Sequence, residues 1–174
     1  MSEGSGISRV ILCFALCLAF ECAAQTAHPD STSAPKEGTM TAHATGTFDV
    51  KIGAQSDDFA KTANLGRMTI DKQFHGDLEA TSKGQMLTAM SAVKGSAGYV
   101  AVERVTGTLH TPKGDRNGSF ALLHRGIMTR GTPELSVTVV PDSGTGQLAG
   151  LTGAMTIHIV DGKHSYDFDY TLSE

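Results

Sequence analysis

A glutamate stands among apolar neighbours in the stretch Y-V-A-V-E-R-V, which runs from Tyr99 to Val105. Successive side chains of a strand point to opposite faces, so Glu103 shares a face with Tyr99, while Arg104 lies on the other face. One of the two charged residues must therefore point into a core. We expect it to be Glu103, because the long arginine side chain can carry its charge outward to water.

A histidine takes a similar position in the stretch S-F-A-L-L-H-R-G-I-M, from Ser119 to Met128. His124 shares a strand face with Phe120. These two strands follow one another along the chain, so Glu103 and His124 are predicted to meet as a hydrogen-bonded acid–imidazole pair. Inside an apolar cavity such a pair can orient a ligand or move a proton, and both residues are the catalytic candidates if the protein is an enzyme. The alternative is a satisfied buried pair that only fixes the strand register.

The usual catalytic and metal-binding motifs are missing from the sequence. No G-x-S-x-G, H-E-x-x-H or H-x-H occurs. The other histidines of the strand regions are scattered, so a metal site would need the fold to gather them. We therefore predict neither a metal nor a cofactor. These histidines are His75, His110, His158 and His164.

The glycine-rich stretch S-G-T-G-Q-L-A-G-L-T-G, from Ser143 to Gly153, contains the spacing G-x-G-x-x-G/A. A dinucleotide-binding loop with this spacing must follow the first strand of a βαβ unit. Only 21 residues follow Gly153, and they alternate as a β-hairpin does. We therefore interpret the glycines as structural: they allow a short turn that lays Leu148 and Leu151 onto the end of a barrel as a lid.

Strand patterns cover nearly all of the chain from residue 41 onward, and no convincing helix occurs. Alternating apolar residues, separated by turn-forming residues, give about eight short strands. None of them resembles a charged, protected edge, so the sequence predicts an all-β fold, a closed antiparallel eight-stranded barrel. A loop is expected over P-K-G-D-R-N-G, residues 112–118. A turn at Lys83-Gly84 is expected to separate two strands, Leu78 to Thr81 and Gln85 to Val93.

The N-terminal region is predicted to be a signal peptide, residues 1–24, followed by a disordered linker, residues 25–40. The apolar run V-I-L-C-F-A-L-C-L-A-F follows Arg9 and ends in small residues, which favours cleavage after Ala24. The β-barrel domain is then residues 41–174, secreted or periplasmic. The alternative is a cytoplasmic protein whose translation starts at Met40. All three cysteines precede the domain, so it can hold no disulfide.

The charge composition argues against two classes of partner. The chain has 14 basic and 18 acidic residues, a net charge of −4, and no basic stripe. A nucleic-acid backbone needs clustered Lys and Arg, so we expect no nucleic-acid partner. We also expect no membrane partner once the signal peptide is removed.

The glycine-rich stretch resembles the strand connection of allene oxide cyclases and dirigent proteins, although Leu148 stands where those families usually have Phe. They are eight-stranded barrels that steer small apolar reactants. Over residues 42–172 the chain resembles a bacterial family of unknown function with an allene-oxide-cyclase-like barrel. The segments that carry this resemblance are H-A-T-G-T-F-D-V, K-Q-F-H-G-D-L-E-A, Y-V-A-V-E-R-V-T-G and H-S-Y-D-F-D-Y. It implies the fold and no function, so no catalytic residue is carried over.

Three functions fit these observations. In the first, the barrel interior binds one small, largely apolar molecule, for which an eight-stranded barrel has room. Its predicted ligand-binding residues are two polar anchors and three wall residues: Glu103, His124, Tyr99, Phe120 and Tyr166. In the second, the same pocket belongs to a cofactor-free isomerase or cyclase that transfers a proton through the Glu/His pair. In the third, the barrel is fully packed and its outer surface forms a homo-oligomer.

Overall fold

The protein is described by a computed structural model over residues 41–172, apart from 57, 59–62 and 64. The predicted signal peptide and linker lie outside the described residues. Eight strands form a closed antiparallel barrel in chain order, which confirms the predicted fold class. One short 3-10 turn, Gly146–Leu148, precedes the seventh strand. The strands are β1 (Ala42–Gln55), β2 (Leu65–Gly76), β3 (Leu78–Met90), β4 (Ala97–Thr111), β5 (Gly114–Thr129), β6 (Thr132–Val139), β7 (Thr152–Val160) and β8 (Lys163–Thr171).

The first and last strands close the barrel, because β1 pairs with both β2 and β8. Phe48 of β1 lies opposite Phe74 on one side and His164 on the other. The β6–β7 junction differs from the other seven, since its register contains a single residue pair, Thr138 and Ala154. The barrel is therefore closed by long ladders everywhere except at this one seam. Within the described ranges, no helix is long and apolar enough to cross a membrane.

One end of the barrel is densely packed with aromatic side chains. Phe120 stacks on Phe168 with ring centroids 5.9 Å apart, and Phe74 meets the edge of Tyr166 at 5.8 Å. The 3-10 turn lays Leu148 and Leu151 over this end, and both are fully buried, as the glycine-rich sequence predicts. We call this half the packed end.

The inward-facing residues of the opposite end include several small or flexible side chains. Strand alternation turns three small residues inward there: Gly66, Ala101 and Gly126. Methionines at positions 68, 86 and 128 also point inward, and Met128 is 41% exposed. Solvent therefore reaches the rim of this half, which we call the open end.

Two boundaries predicted from the sequence are wrong. The expected turn at Lys83-Gly84 does not exist, because β3 runs unbroken from Leu78 to Met90. Gly84 faces inward opposite Glu103, and a Cβ at that position would lie 2.7 Å from the Glu103 Cβ. This glycine therefore provides room for the Glu103 side chain rather than a turn.

The loop expected over residues 112–118 is also mostly strand, since β5 begins at Gly114. Side chains across β4 and β5 hold these turn-forming residues in the ladder. The Thr108 hydroxyl donates to Asn117 Oδ1 at 2.7 Å, and His110 Nδ1 lies 2.7 Å from Asp115 Oδ1. Cross-strand pairing thus overrides the local turn preference of Asp and Asn.

Candidate functional site

The predicted acid–imidazole pair lies in the middle of the barrel. Glu103 on β4 and His124 on β5 both face inward, and they are diagonal neighbours because Ala101 is the direct partner of His124. His124 Nε2 is 2.8 Å from Glu103 Oε1. Glu103 is 1% exposed and His124 is 3% exposed, so the contact is screened from bulk water.

Two further polar residues complete a buried ionic cluster that consists of Lys72, Ser82, Glu103 and His124. The Lys72 ammonium is 2.7 Å from Glu103 Oε1, and the Ser82 hydroxyl donates to Glu103 Oε2 at 2.6 Å. Lys72 and Ser82 are direct partners in the β2–β3 register. Both carboxylate oxygens of Glu103 are therefore engaged, one of them twice.

Aromatic rings of the packed end support the lysine of the cluster. The Lys72 ammonium lies 4.8 Å from the ring centroid of Phe48 and 5.5 Å from that of Phe74. A cation over the face of an aromatic ring is stabilised by the ring quadrupole, most strongly where water is excluded. The cluster thus sits at the boundary between the packed end and the open end.

Lys72 and Ser82 were not identified from the sequence, although a signal for each was present. Lys72 falls on the same strand face as Met68, Ile70 and Phe74, so alternation alone places it inside. Ser82 was hidden by the expected turn at Lys83-Gly84, which left it outside any strand. A continuous β3 places Ser82 on the inward face together with Gly84.

Glu103 is held in its charged form. Burial by itself raises the pKa of its carboxyl group, because a low-dielectric interior disfavours charge. The hydrogen bond from His124 and the positive charge of Lys72 outweigh burial and lower the pKa to about 2. The carboxylate is therefore an anchor for its neighbours and a poor proton acceptor at neutral pH.

His124 has one ring nitrogen to spare. A carboxylate can only accept, so Nε2–H donates to Glu103 and Nδ1 remains available. Nδ1 makes no hydrogen bond to the described residues. Among their fully buried side-chain atoms the Tyr170 hydroxyl alone lacks a partner, so Nδ1 keeps a small exposed surface. Nδ1 is thus an unengaged polar atom of the cluster.

Tyr99 stands above this imidazole towards the open end. Its ring lies directly against Gly126, where any larger residue would collide with it. Burial and the charge of Glu103 both raise the pKa of Tyr99, so its phenol stays neutral. The structure therefore brings together three of the five predicted ligand-binding residues: Tyr99, Glu103 and His124.

The other two predicted ligand-binding residues lie in the packed end. Phe120 is fully buried in its stack with Phe168. The Tyr166 hydroxyl accepts from the Leu78 amide at 2.9 Å and donates to the His75 carbonyl at 3.3 Å. Burial raises the pKa of Tyr166 to about 12, which keeps it a hydrogen-bond donor. Their part in ligand binding stays a prediction.

The remaining histidines lie apart from the cluster. His158 Nε2 is 2.7 Å from Asp167, and His75 Nδ1 is 3.5 Å from Glu79, both on the outer surface. His164 instead packs against the ring of Phe48 with centroids 5.0 Å apart. Among the residues that the structure describes, no group of three His, Cys, Asp or Glu side chains is placed to hold a metal ion.

These features define a class of protein: a small closed antiparallel barrel with one packed end, one open end and a buried ionic cluster between them. Sequence comparison gives the family. Residues 44–170 match the family described as "Protein of unknown function (DUF3224)", and the chain belongs to it.

A solved structure supports this assignment. The chain is 49% identical to a protein of unknown function from the DUF3224 family of Shewanella oneidensis MR-1, with a TM-score of 0.70. The match covers 78% of this chain and 99% of that one. No curated protein matches the chain. The predicted membership of a bacterial family of unknown function is confirmed, whereas the likeness to allene oxide cyclases stays a prediction.

Proposed function

We propose that the protein binds one small, largely apolar molecule in the open end of its barrel, with His124 as the polar contact. The observation that carries this proposal is the unengaged Nδ1 of His124. It belongs to a ring that the buried cluster holds in place, and it is the ring nitrogen that does not bind Glu103. Apolar pockets that contain a few fixed polar groups are the usual form of small-molecule sites.

The change in side-chain size along the barrel supports this location. Large aromatic rings fill the packed end, whereas Ala101 stands at the level of His124, and above it the ring of Tyr99 covers Gly126. Met68 and Met86 pair across β2 and β3 at this same level. Methionine side chains are flexible and polarizable, so they adapt to ligands of irregular shape.

The charges of the cluster suggest which polar group the ligand carries. Lys72 and Glu103 neutralise one another, so the floor of the open end has no uncompensated charge when His124 is neutral. A neutral imidazole Nδ1 accepts a hydrogen bond. The favoured ligand is therefore an apolar molecule with one hydroxyl or N–H donor.

The first test is native mass spectrometry of the protein purified from its own host, to detect and identify a retained molecule. The second is a fluorescence titration with N-phenylnaphthylamine, an apolar amine with one N–H donor. Removing the wall residue in Tyr99→Ala is expected to weaken binding by about tenfold or more. The matched aromatic control is Phe120→Leu, which should leave the affinity within about twofold.

Two results would contradict the proposal. A clean mass together with no binding of the probe would mean that the interior is filled. An equal loss of affinity in Phe120→Leu and Tyr99→Ala would place the ligand in the packed end. That is where the predicted wall residues Phe120 and Tyr166 lie.

The Glu103–His124 pair also favours a second candidate function, a cofactor-free isomerase or cyclase. A carboxylate that fixes the imidazole through Nε2 leaves Nδ1 oriented as a proton acceptor, the arrangement expected of a general base. Here His124 is the base and Glu103 its positioning anion. The test is to incubate the retained molecule with the protein in D2O and to measure deuterium gained at carbon. Deuterium exchange that occurs with the wild type and disappears in His124→Phe would indicate an enzyme. No exchange with the wild type would indicate a binding protein.

A further inference from the structure

The outer surface of β2–β5 carries a contiguous apolar patch, which we call the apolar face. Its six members point outward and are each between 37% and 52% exposed. None of them takes part in the interior or in the ionic cluster. They are Leu65, Leu87, Val100, Val102, Leu123 and Ile127.

The strand register makes this patch continuous. Val100 lies opposite Leu87, and Val102 lies opposite Leu123, so the two valines of β4 form its centre. Gly98 faces Ile127 in the same register and leaves a shallow groove of about 390 Å³ beside them. An apolar surface with a groove can receive a side chain from a partner.

The opposite side of the barrel shows that exposure alone does not make an outer face apolar. The outer positions of β7, β8 and β1 carry ion pairs instead. His43 Nδ1 lies 2.7 Å from Asp169 Oδ1, and His158 lies 2.7 Å from Asp167. The outer surface of β7, β8 and β1 is thus polar, whereas the apolar face exposes six large hydrophobic side chains to solvent.

We propose that two copies of this chain pair through the apolar face. Its six side chains expose on the order of 500 Å² of apolar surface, which is in the size range of the largest patches on monomers, and such patches are often functional. A standard interface buries roughly 800 Å² on each partner, of which about 65% is apolar in homodimers. The exposed apolar area therefore matches what one half of a stable dimer interface requires.

The one ion pair that reaches into the apolar face is compatible with an identical partner. Arg125 Nη1 is 2.9 Å from Glu134 Oε1, so this pair is neutral within each copy. Arg125 lies opposite Val100, between Leu123 and Ile127, and Glu134 of the same chain compensates its charge, so it does not repel a second copy. Two-fold dimers bring the same patch of both chains together, which requires this kind of self-compatibility.

The experiment is sedimentation equilibrium of the full chain over a range of concentrations, with a reducing agent to exclude disulfide links. A dimer is expected for the wild type. Val100→Lys should raise the dimer dissociation constant by about 100-fold or more, because the two-fold axis places two lysines at the centre of the interface. Leu87→Glu should have the same effect. The matched control is Val160→Lys, since Val160 is 66% exposed at the open end and lies outside the apolar face.

Circular dichroism of each variant checks that it is folded. A wild type that stays monomeric at all concentrations overturns the proposal. Equal dissociation by Val160→Lys and Val100→Lys would overturn it too, because it would place the interface at the open end. A larger oligomer would exclude a closed two-fold pair. Ligand binding is measured separately, so the dimer and the proposed function can fail independently.

Discussion

Replacing Glu103 with glutamine is expected to lower the free energy of unfolding by about 3 kcal/mol at neutral pH. The pKa of Glu103 falls from 4.5 to about 2 in the folded protein. Each pKa unit corresponds to roughly 1.4 kcal/mol, which gives about 3 kcal/mol for this shift. Removing one partner of a buried ion pair costs about 3–5 kcal/mol, since the other charge is left unpaired. The two estimates agree, and the stranded charge is the Lys72 ammonium.

The same pKa shift determines how the stability cost of Glu103→Gln depends on pH. A carboxyl group whose pKa is lowered by folding stabilises the protein above its unfolded pKa, and that stability is lost as the pH falls through the folded pKa. The difference in unfolding free energy between wild type and Glu103→Gln is therefore constant above about pH 5 and shrinks between pH 4.5 and pH 2. Near pH 2 the wild-type carboxyl group is half protonated, and little of the difference remains.

The assay is urea denaturation of both proteins at a series of pH values. The matched control is Asp71→Asn, since Asp71 contacts Lys83 at 3.3 Å in a pair that is 57% and 85% exposed. An exposed pair of this kind is worth about 1 kcal/mol or less. The reasoning is refuted if Glu103→Gln costs no more than this control, or if its cost does not change with pH. Adding Lys72→Met to Glu103→Gln should restore part of the stability, because no buried cation then lacks its anion.

Three further predictions concern local packing and stability. Gly84→Ala is expected to lower the melting temperature, because the new Cβ would lie 2.7 Å from Glu103 Cβ. Gly98→Ala is the control that should be tolerated, because the atom nearest to its new Cβ would be 3.8 Å away. Tyr170→Phe removes a buried hydroxyl without a partner and should be neutral or stabilising by about 1 kcal/mol, whereas Tyr166→Phe should cost about 1 kcal/mol in urea denaturation. Amide hydrogen exchange should be fastest along β6 and the facing edge of β7, because these strands share one register pair, and slowest along β4, which pairs over its whole length. Uniform protection of all strands would contradict this prediction.

Alternation and turn residues were enough to predict the barrel, its strand number and the inward direction of Glu103 and His124. The lid residues Leu148 and Leu151 followed from the same reasoning, because local patterns carry that information. The partners of Glu103 required long-range information. Lys72 is 31 residues away in the chain, and only the registers of β2, β3 and β4 bring its ammonium to the carboxylate.

The error at Lys83-Gly84 shows where local reasoning fails. A glycine after a lysine is typical of a turn. Here the glycine makes room for a residue on the neighbouring strand, since Glu103 occupies the space that a Cβ at Gly84 would need. The chemistry of one strand thus determines the residue type on another, which a single strand's pattern cannot reveal.

The pairing of β1 with β8 has a consequence for how the chain folds. Ala42 lies opposite Tyr170, so the barrel closes only when the two ends of the domain meet. Contacts between residues so distant in sequence slow folding, because a long loop must close before they form. During synthesis β1 is made before β8, so one edge of β1 stays unpaired until β8 has been added. Loss of β8 by truncation would leave two open edges, on β1 and β7, and such edges recruit strands from other chains. We therefore expect a chain that lacks β8 to aggregate more readily than the intact domain.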